Sequence, residues 1–510
     1  MKIFEIKKLV PSTELFGPSG NPEICIIGAG FGGINMGVVL RRAGIPTFTI
    51  IEKNSSIGGT WYENRYPGAE VDSESHLYCL KSKTHNWTRN FSRQPELLSY
   101  LIDTADEYDL WPHIKLNAQV QAAIWNEETH MYTVSLTDAV EMRFNVVVSA
   151  VGIFNSLNIP QWPGLESFSG VKFHAARWEE GYNFSGKRVA VVGTGSSSAQ
   201  IVPELAKKAK KLLLYQREPC YVVQKNAREF SSFERFIFAS PLARRLERMR
   251  CYWRARESRK ASAAIVGSKL NKKLEHKSIT YLNRVFSGRP DLRELLTPKY
   301  PFMGKRTVIS DDYYPALLRD NVEIIPHAVT HVTPTGLVDS EGIERQVDAI
   351  VMATGFQPAN YLANLRVRGS NGVWLHDFWK TEPRALLGSV VSGFPNFYML
   401  YGPNSNGGEI LFFEHAQARY ALANIKRMKR EGITSIDVSE NAMNKFNAWL
   451  QRRLGNTAFG RSATGVKLGY YLSPTGRNVT QWSQGLALFF ILALTLPRFV
   501  SLVSTRRSED

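Results

Sequence analysis

The chain has 510 residues, 44% of them hydrophobic, and a formal net charge of +17. A chain of this length can fill two or three hydrophobic cores, and length alone suggests about three domains. The four cysteines, Cys25, Cys79, Cys220 and Cys251, show no C-x-x-C or paired metal-ligand spacing, and the N-terminus lacks a signal-peptide apolar segment. We therefore expect a cytoplasmic, reduced protein with no metal site and no redox-active cysteine pair.

The first predicted unit begins with an apolar run that breaks into glycines, EICIIGAGFGG, containing Gly28, Gly30 and Gly33. A second apolar run ends at Glu52, 24 residues after Gly28. The pattern predicts a strand, a tight turn, a helix and a second strand. Such a turn allows a pyrophosphate to approach the helix N-terminus, and the acid accepts ribose hydroxyls. This loop favours FAD.

A second glycine-rich loop, KRVAVVGTGSSSAQ, places Gly193, Gly195 and Ser198 at the corresponding positions. Arg217 follows Gly193 by 24 residues, so the spacing is the same and the charge is reversed. A carboxylate would repel a 2'-phosphate, whereas a guanidinium binds it with two hydrogen bonds. The second loop therefore favours NADPH.

Four residues that precede the second loop in sequence carry a resemblance to a known family. Phe168, Gly170, His174 and Trp178 fit the pattern F-x-G-x-x-x-H-x-x-x-W. This pattern resembles the fingerprint of Baeyer-Villiger monooxygenases, although Glu179 stands where the family has Pro or Asp. The resemblance extends over most of the chain, from residue 24 to residue 481.

Two further motifs support the resemblance. One, G-x-W-x-x-x-x-Y-P-G-x-x-x-D, is matched at Gly59, Trp61, Tyr66, Pro67, Gly68 and Asp72. The other contains Lys305 and Arg306 in GKRTVISDDYYPALLRDNV. The resemblance implies that Arg306 is the catalytic cation, since a guanidinium keeps its proton at any working pH. It also implies that Asp72 holds Arg306 and that Lys305 turns to the 2'-phosphate beside Arg217.

The resemblance implies an NADPH- and O2-dependent flavin monooxygenase that converts a ketone to an ester or lactone through a C4a-peroxyflavin. His174 would fix the linker between the domains, and Asn404 would lie near the flavin ring. The predicted FAD contacts are Gly28, Gly30, Phe31, Gly32, Gly33, Glu52, Gly59, Thr60, Trp61, Asp72, Tyr78 and Val120. The predicted NADPH contacts are Gly193, Thr194, Gly195, Ser196, Ser197, Ser198, Gln216, Arg217 and Lys305.

The predicted fold is α/β, with two Rossmann-like dinucleotide-binding domains and a helical insertion. We expect the FAD domain in residues 1–160 and 333–482, with the chain returning to it at the apolar strand DAIVMATGF. The NADPH domain would occupy residues 161–332, including a basic helical insertion at about 225–300. Residues 483–510 would form an apolar tail.

Two segments are left without a role in catalysis. The basic stretch from Arg244 to Lys277 is interpreted as a solvated helix face, a membrane-surface patch or a nucleic-acid contact, and no nucleic-acid-binding motif accompanies it. The tail from Gly485 to Val503 is interpreted as a packed helix, a monotopic membrane helix or a span. Its twelve uncharged residues are short for a span of about 20. We expect no nucleic-acid partner and consider peripheral membrane contact through both segments.

Two alternative functions compete with ketone oxidation. The first is a flavin monooxygenase that oxidises nitrogen or sulfur centres, from which Trp178 and Arg306 distinguish this chain. The second is a non-oxygenating, NADPH-linked flavoprotein that passes electrons to a partner. Tight coupling of NADPH consumption to oxygen insertion would exclude the second.

Overall fold

Two five-stranded parallel sheets organise the molecule. The computed structural model describes residues 12–254, 263–362, 364–460, 471–496 and 500–504. In spatial order, the first sheet contains β19 (Phe397–Met399), β7 (Val146–Ser149), β1 (Ile24–Ile27), β2 (Phe48–Ile51) and β3 (Ile114–Lys115). The second contains β13 (Val322–Ile325), β10 (Lys211–Tyr215), β9 (Arg188–Val192), β17 (Ala349–Met352) and β8 (Val171–His174).

The central strands are short, almost wholly apolar runs. Every residue of β1, β7 and β17 is buried. Continuous burial is expected where a parallel sheet is covered on both faces, because neither face of the strand meets water. The α/β fold with two dinucleotide-binding-type sheets, predicted from the two loops, is confirmed.

The strand DAIVMATGF belongs to the second sheet, so the prediction that it returns the chain to the first is wrong. Strand β17 lies between β9 and β8, with Val351 opposite both Val191 and Phe173. The chain rejoins the first sheet later, at β19. An apolar run identifies a buried central strand but carries no information about which of two similar sheets contains it.

The boundary predicted at residue 333 falls inside a small antiparallel sheet. Strands β14 and β15 pair across that position, and their buried residues pack with Phe168 and Ile350 of the second unit. The second unit therefore continues to β17. The remaining strands are β14 (Val329–Val332), β15 (Gly336–Asp339) and β16 (Glu344–Gln346); β11 (Val222–Val223) and β12 (Val308–Ile309); β18 (Arg366–Arg368), β4 (Val120–Asn126), β5 (Met131–Leu136) and β6 (Glu141–Phe144); β20 (Ser435–Val438) and β21 (Ser501–Ser504).

Helices cover both sheets and form the insertion. Short 3₁₀ turns occur at Trp111–His113, Leu165–Ser167 and Ser370–Gly372. The α-helices are α1 (Ser12–Phe16), α2 (Phe31–Arg42), α3 (Thr60–Glu63), α4 (Gln94–Glu107), α5 (Ser196–Ala206), α6 (Ser232–Ile237), α7 (Pro241–Arg254), α8 (Lys269–Val285), α9 (Pro290–Leu295), α10 (Tyr313–Leu317), α11 (Leu375–Trp379), α12 (Ile410–Glu431), α13 (Glu440–Gly455) and α14 (Leu486–Thr495).

The described part of the insertion is mainly helical and is divided between two cores. Phe230 and Phe238, which flank α6, pack into the core of the first sheet, whereas Tyr281 and Phe286 of the α8 region pack into the core of the second. Part of the predicted basic stretch, residues 255–262, lies outside the described residues.

Two connections between the sheets run side by side. Leu157 and Phe356 form an isolated antiparallel bridge, and the N–H of Asn158 donates to the carbonyl of Gly355 at 2.9 Å. Thr354 Oγ1 donates to the carbonyl of Asn158 at 2.6 Å. The two linkers therefore form one hydrogen-bonded pair.

The apolar tail packs on one side only. Leu486, Phe489 and Ala493 of α14 are buried, and the Phe489 ring meets Phe413 of α12 edge-on at 4.7 Å. The interpretation as a packed helix is therefore confirmed for that face, while part of the opposite face is exposed. Among the described residues, no helix is both long and apolar enough to cross a membrane. Residues 497–499 and 505–510 of the predicted tail lie outside the described part.

Candidate active site

A cleft of about 2440 Å³ opens at the loops that follow β1 and β9. Both glycine-rich loops line it, as do the segments of the second and third motifs. The carboxyl ends of parallel strands are where this class of fold binds its ligands. Among the predicted site residues the cleft brings together Gly28, Gly30, Phe31, Gly32, Glu52, Gly59, Thr60, Trp61, Asp72, Tyr78, Val120, Gly193, Thr194, Gly195, Ser196, Ser197, Gln216, Arg217, Lys305 and Arg306.

The first loop is built on glycines that nothing larger could replace. Gly28 has a φ of +102°, and a Cβ there would lie 2.7 Å from the carbonyl oxygen of Ala150. A Cβ at Gly33 would lie 1.8 Å from the carbonyl oxygen of Gly28. The chain therefore turns tightly into α2 and presents the helix N-terminus to the cleft, which fits a pyrophosphate.

Glu52 lies buried directly after β2, where the spacing predicts it. Its Oε2 accepts a hydrogen bond from the N–H of Ala29 at 2.7 Å, and its Oε1 accepts one from Asn54 at 2.9 Å. Burial raises the pKa of Glu52, and these two backbone donors oppose the shift. Each oxygen retains a further lone pair, so the carboxylate can accept ribose hydroxyls. Val120, at the start of β4, also lines the cleft.

The second loop repeats this geometry on the second sheet. Gly193 has a φ of +119°, and a Cβ there would lie 2.3 Å from the carbonyl oxygen of Ala353. Gln216 is buried, and its Oε1 and Nε2 find no hydrogen-bond partner within the described part of the chain. Arg217, which follows it, is exposed at the cleft. Because a buried amide is normally hydrogen-bonded, Gln216 is fitted to meet a polar ligand.

Lys305 lies at the edge of this second half of the cleft. Its Nζ forms an ion pair with the carboxylate of Glu218, the residue after Arg217. Lys305 thus lies at the segment where the sequence predicts 2'-phosphate binding. Ser198, also predicted as a contact, is wholly buried in α5.

The second motif forms an aromatic wall against the first loop. Gly59 has a φ of +53°, and a Cβ there would lie 2.8 Å from the Cα of Gly30. Trp61 Nε1 donates to the hydroxyl of Tyr78 at 3.1 Å, and the Tyr78 ring meets Phe31 edge-on at 5.0 Å. These three aromatic side chains line the cleft beside the first loop.

Arg306 and Asp72 meet at the cleft, as the resemblance implies. The Arg306 Nη2 lies 2.5 Å from the Asp72 Oδ2, and the two side chains are 45% and 28% exposed. The pair therefore places a fixed cation, still accessible to ligands, on the cleft wall. A guanidinium at such a position can stabilise negative charge that develops during a reaction.

A buried lysine that the sequence did not reveal supports this pair. Lys225 Nζ lies 2.7 Å from Glu70 Oε1 and donates to the carbonyl of Val71 at 2.5 Å, and its side chain is only 1% exposed. The lysine thereby fixes the two residues that precede Asp72. A single lysine in YVVQKNAREF has no spacing that would have marked it.

The remaining residues of the second motif dock onto α5. Tyr66 OH donates to Gln200 Oε1 at 3.0 Å, and Gln200 Nε2 donates to the carbonyl of Glu70 at 2.9 Å. A Cβ at Gly68, where φ is +81°, would lie 2.7 Å from the carbonyl oxygen of Gln200. These residues join the first half of the site to the second.

The four fingerprint residues contribute packing around β8. Phe168 is buried, and a Cβ at Gly170 would lie 2.4 Å from the carbonyl oxygen of Asp348. The Trp178 ring meets Phe173 edge-on at 5.0 Å. In the part of the chain that the structure describes, the lining of the cleft includes none of the four.

His174 ends β8 and contacts the linker. Its Nδ1 accepts a hydrogen bond from the N–H of Ala176 at 3.1 Å, so the proton lies on Nε2, which donates to the carbonyl of Gly355 at 3.0 Å. Burial lowers the pKa of His174, so the ring is neutral at pH 7. The histidine therefore attaches the second sheet to the paired linkers.

Two buried acids at the start of α12 also line the cleft and were missed by sequence reasoning. Glu414 Oε1 would lie 3.2 Å from a Cβ at Gly32, and burial, followed by the charge of Glu409, raises the pKa of Glu414 to about 8.

The side chain of Asn404 donates to the carbonyls of Asn478 and Gln481, both at 3.0 Å. The Asn404 side chain therefore joins its own loop to the loop that contains Asn478 and Gln481.

The chain matches the family model described as flavin-binding monooxygenase-like over residues 22–365. It is 35% identical to a Baeyer-Villiger monooxygenase of Pseudomonas aeruginosa over 468 residues, covering 90% of this chain and 87% of that protein. A Baeyer-Villiger monooxygenase of Streptomyces coelicolor is also 35% identical, with 90% and 88% covered.

The fold of the chain is also similar to solved monooxygenase structures. The fold is similar to that of an oxidised steroid monooxygenase bound to NADP, with a TM-score of 0.83, 26% identity and 94% and 99% of the two chains covered. It is also similar to OTEMO in complex with FAD and NADP, with a TM-score of 0.84, 26% identity and 95% and 99% covered. The chain therefore belongs to the flavin-binding monooxygenase family, among its Baeyer-Villiger monooxygenases.

Proposed function

We propose that the protein is an NADPH- and O2-dependent enzyme that inserts an oxygen atom next to a ketone carbonyl, giving an ester or lactone. The Arg306–Asp72 ion pair on the cleft wall carries this proposal, because it places a permanent cation where a reaction that develops negative charge needs one.

The two loops divide the cofactors between them. FAD would lie along the first loop, with its pyrophosphate at the N-terminus of α2, its ribose at Glu52 and its ring against Trp61 and Tyr78. NADPH would lie along the second, with Gln216 and Arg217 toward the adenosine 2'-phosphate. When bound, FAD accepts the hydride of NADPH and supplies the oxygen-activating chemistry.

The protein's own contribution is position and charge. Arg306 would stabilise the negative charge that appears on the ketone oxygen when its carbon is attacked. Asp72 would orient the guanidinium, and Lys225 would hold the backbone that carries Asp72. A neutral His174 would position the linkers rather than move a proton, since both ring nitrogens are engaged.

The test is a product assay with a defined panel. The FAD-loaded protein is incubated with NADPH, air and linear, cyclic and aryl ketones, together with a thioether and a tertiary amine. We expect ketone products 16 mass units heavier, in amounts equal to the NADPH consumed. Oxidation of the thioether or amine alone would favour the nitrogen- or sulfur-oxidising alternative, and NADPH consumption without oxygenated product would favour the electron-passing one.

We also propose where the enzyme works. Cys25, Cys79, Cys220 and Cys251 are free thiols, which favours the reducing cytoplasm. Exposed apolar side chains on the insertion and on the tail favour peripheral contact with a membrane. Cosedimentation of the protein with anionic vesicles tests this contact, and we expect it at low salt.

A further inference from the structure

Helices α6 and α7 present an apolar face to solvent. On α6, Phe233 and Phe236 are 70% and 77% exposed. On α7, exposed side chains recur at the spacing of one helix face: Leu242, Leu246, Met249 and Trp253. Soluble monomers rarely expose so continuous an apolar stripe, and where they do it marks an interaction surface.

The polar side of α7 faces the protein. Arg244 donates to Thr84 Oγ1 at 2.9 Å and to the carbonyl of Phe238 at 2.7 Å. One turn further on, Arg248 donates to the carbonyls of Leu80 at 3.0 Å and Cys79 at 3.1 Å. The helix is thus attached through its arginines, and its amphipathic pattern is inverted relative to a core-packed helix.

The charge around the stripe is positive. Arg235, Arg245 and Arg250 are exposed beside the apolar side chains. Within α6 and α7 the acids are Glu234, which Arg228 binds with both terminal nitrogens, and Glu247, whose side chain is only 10% exposed. The outward surface therefore combines large apolar groups with cations.

The tail helix lies near α7. The ring of Tyr252 on α7 lies 5.9 Å from Phe412, which lies 6.3 Å from Phe490 on α14. The outer side of α14 exposes Ile491 and Leu494. A line of three aromatic rings thus joins α7 to the tail.

One histidine of α12 lies against the tail helix. His415 contacts Phe490, with the ring centres 6.5 Å apart. Burial, followed by the charges of Lys81 and Arg419, lowers the pKa of His415 to about 4. Both are exposed at the surface.

We propose that α6, α7 and the outer face of α14 form a docking surface for the anionic face of a lipid bilayer, with α6 and α7 inserting their apolar stripe at the headgroup boundary. This inference deepens the peripheral contact proposed above and names its surface. Basic residues near an anionic leaflet and buried apolar side chains both strengthen binding to a bilayer. A bilayer is favoured over a protein partner because exposed cations flank a stripe of large apolar side chains, the two groups by which interfacial helices bind anionic membranes.

The test measures binding of the FAD-loaded protein to vesicles of phosphatidylcholine alone or mixed with phosphatidylserine. We expect cosedimentation with the mixed vesicles at low salt, at least tenfold weaker binding to phosphatidylcholine alone, and weaker binding at high salt. Phe236→Ser/Trp253→Ser and Arg245→Glu/Arg250→Glu should each reduce binding to the mixed vesicles more than tenfold. Matched controls are Ile343→Ser, an exposed apolar residue on the β15–β16 hairpin, and Lys208→Glu/Lys210→Glu beside β10.

A labelled variant reports insertion directly. Leu246→Cys, coupled to an environment-sensitive dye, should brighten when mixed vesicles are added, whereas the same dye on Ile343→Cys should not. If the wild type binds vesicles and the α6 and α7 variants bind equally well, the proposed docking surface is wrong, while the proposal that the protein contacts a membrane stands. If the wild type remains in the supernatant at low salt, both the docking surface and the membrane contact are wrong. If the α7 variants abolish self-association instead of vesicle binding, the surface is a contact between copies of the chain and the inference fails.

Discussion

Arg306 and Asp72 are 234 residues apart in sequence, yet Nη2 of the arginine lies 2.5 Å from Oδ2 of the aspartate. The aspartate belongs to the motif that packs on the first glycine loop, and the arginine precedes β12 in the inserted unit. Their contact therefore depends on the relative position of the two units. Any movement of one unit against the other changes the position of the guanidinium at the cleft.

Replacing Arg306 with alanine should abolish ester formation while NADPH still reduces the flavin. The charge that the arginine is proposed to stabilise appears only after reduction, so the loss should fall on oxygenation, by about 10²–10³-fold or more. Anaerobic stopped-flow reduction and product quantification separate the two steps. Oxygenation within tenfold of the wild type would contradict the catalytic role of Arg306.

Replacing Arg217 with alanine should raise the KM for NADPH far more than the KM for NADH. Only NADPH carries the 2'-phosphate that a guanidinium binds with two hydrogen bonds. Steady-state kinetics with both coenzymes measure the difference, and NADH serves as the internal control. Equal effects on the two coenzymes would place Arg217 away from the phosphate.

Local spacing predicted the two loops, because a tight turn and a strand-end residue are properties of adjacent sequence. Gly28 and Gly193 have the positive φ that the motif requires, and Glu52 directly follows its strand. The sheet membership of β17 was predicted wrongly, since pairing between remote strands is decided by packing. The assignment of catalytic and cofactor contacts stays a prediction.

Sequence periodicity also does not tell whether the apolar face of a helix points to the core or to solvent. The apolar residues of α7 recur at helical spacing whether that face is buried or exposed. The structure shows Leu246 and Trp253 exposed because, on the opposite side of α7, Arg244 binds the Thr84 hydroxyl and Arg248 binds the Leu80 carbonyl. Lys225 was missed for a related reason, since its partner Glu70 is 155 residues away.

Replacing Lys225 with methionine should destabilise the protein and reduce kcat more than it raises the KM for NADPH. Removing one partner of a buried ion pair leaves the other unpaired, which costs about 3–5 kcal/mol in the free energy of unfolding. The double variant Lys225→Met/Glu70→Gln should recover much of the stability, because the unpaired carboxylate is gone. Denaturant unfolding and steady-state kinetics test both claims, and a single variant as stable as the wild type would contradict them.

Replacing Glu414 with glutamine should remove a pH dependence of stability between pH 6.5 and 8. Because burial raises the pKa of Glu414 to about 8, the folded protein holds a proton that the unfolded chain releases above its ordinary pKa of 4.5. Glu414 therefore stabilises the fold fully below pH 4.5, and this contribution is lost as the pH rises to 8.

Three other buried groups with shifted pKa values act at lower pH than Glu414. Burial raises the pKa of Asp437 to about 6, so its contribution to the free energy of unfolding is lost by that pH. Burial lowers the pKa values of His76 and His415 to about 4, so these histidines change the free energy of unfolding only below about pH 6.5. We expect the flavin-free wild type to lose about 1–2 kcal/mol of unfolding free energy between pH 6.5 and 8, at about 1.4 kcal/mol per pH unit for a single proton. Glu414→Gln should show a flat profile over this range, and the exposed Glu128→Gln should follow the wild type. An unchanged slope in Glu414→Gln would show that another group releases this proton.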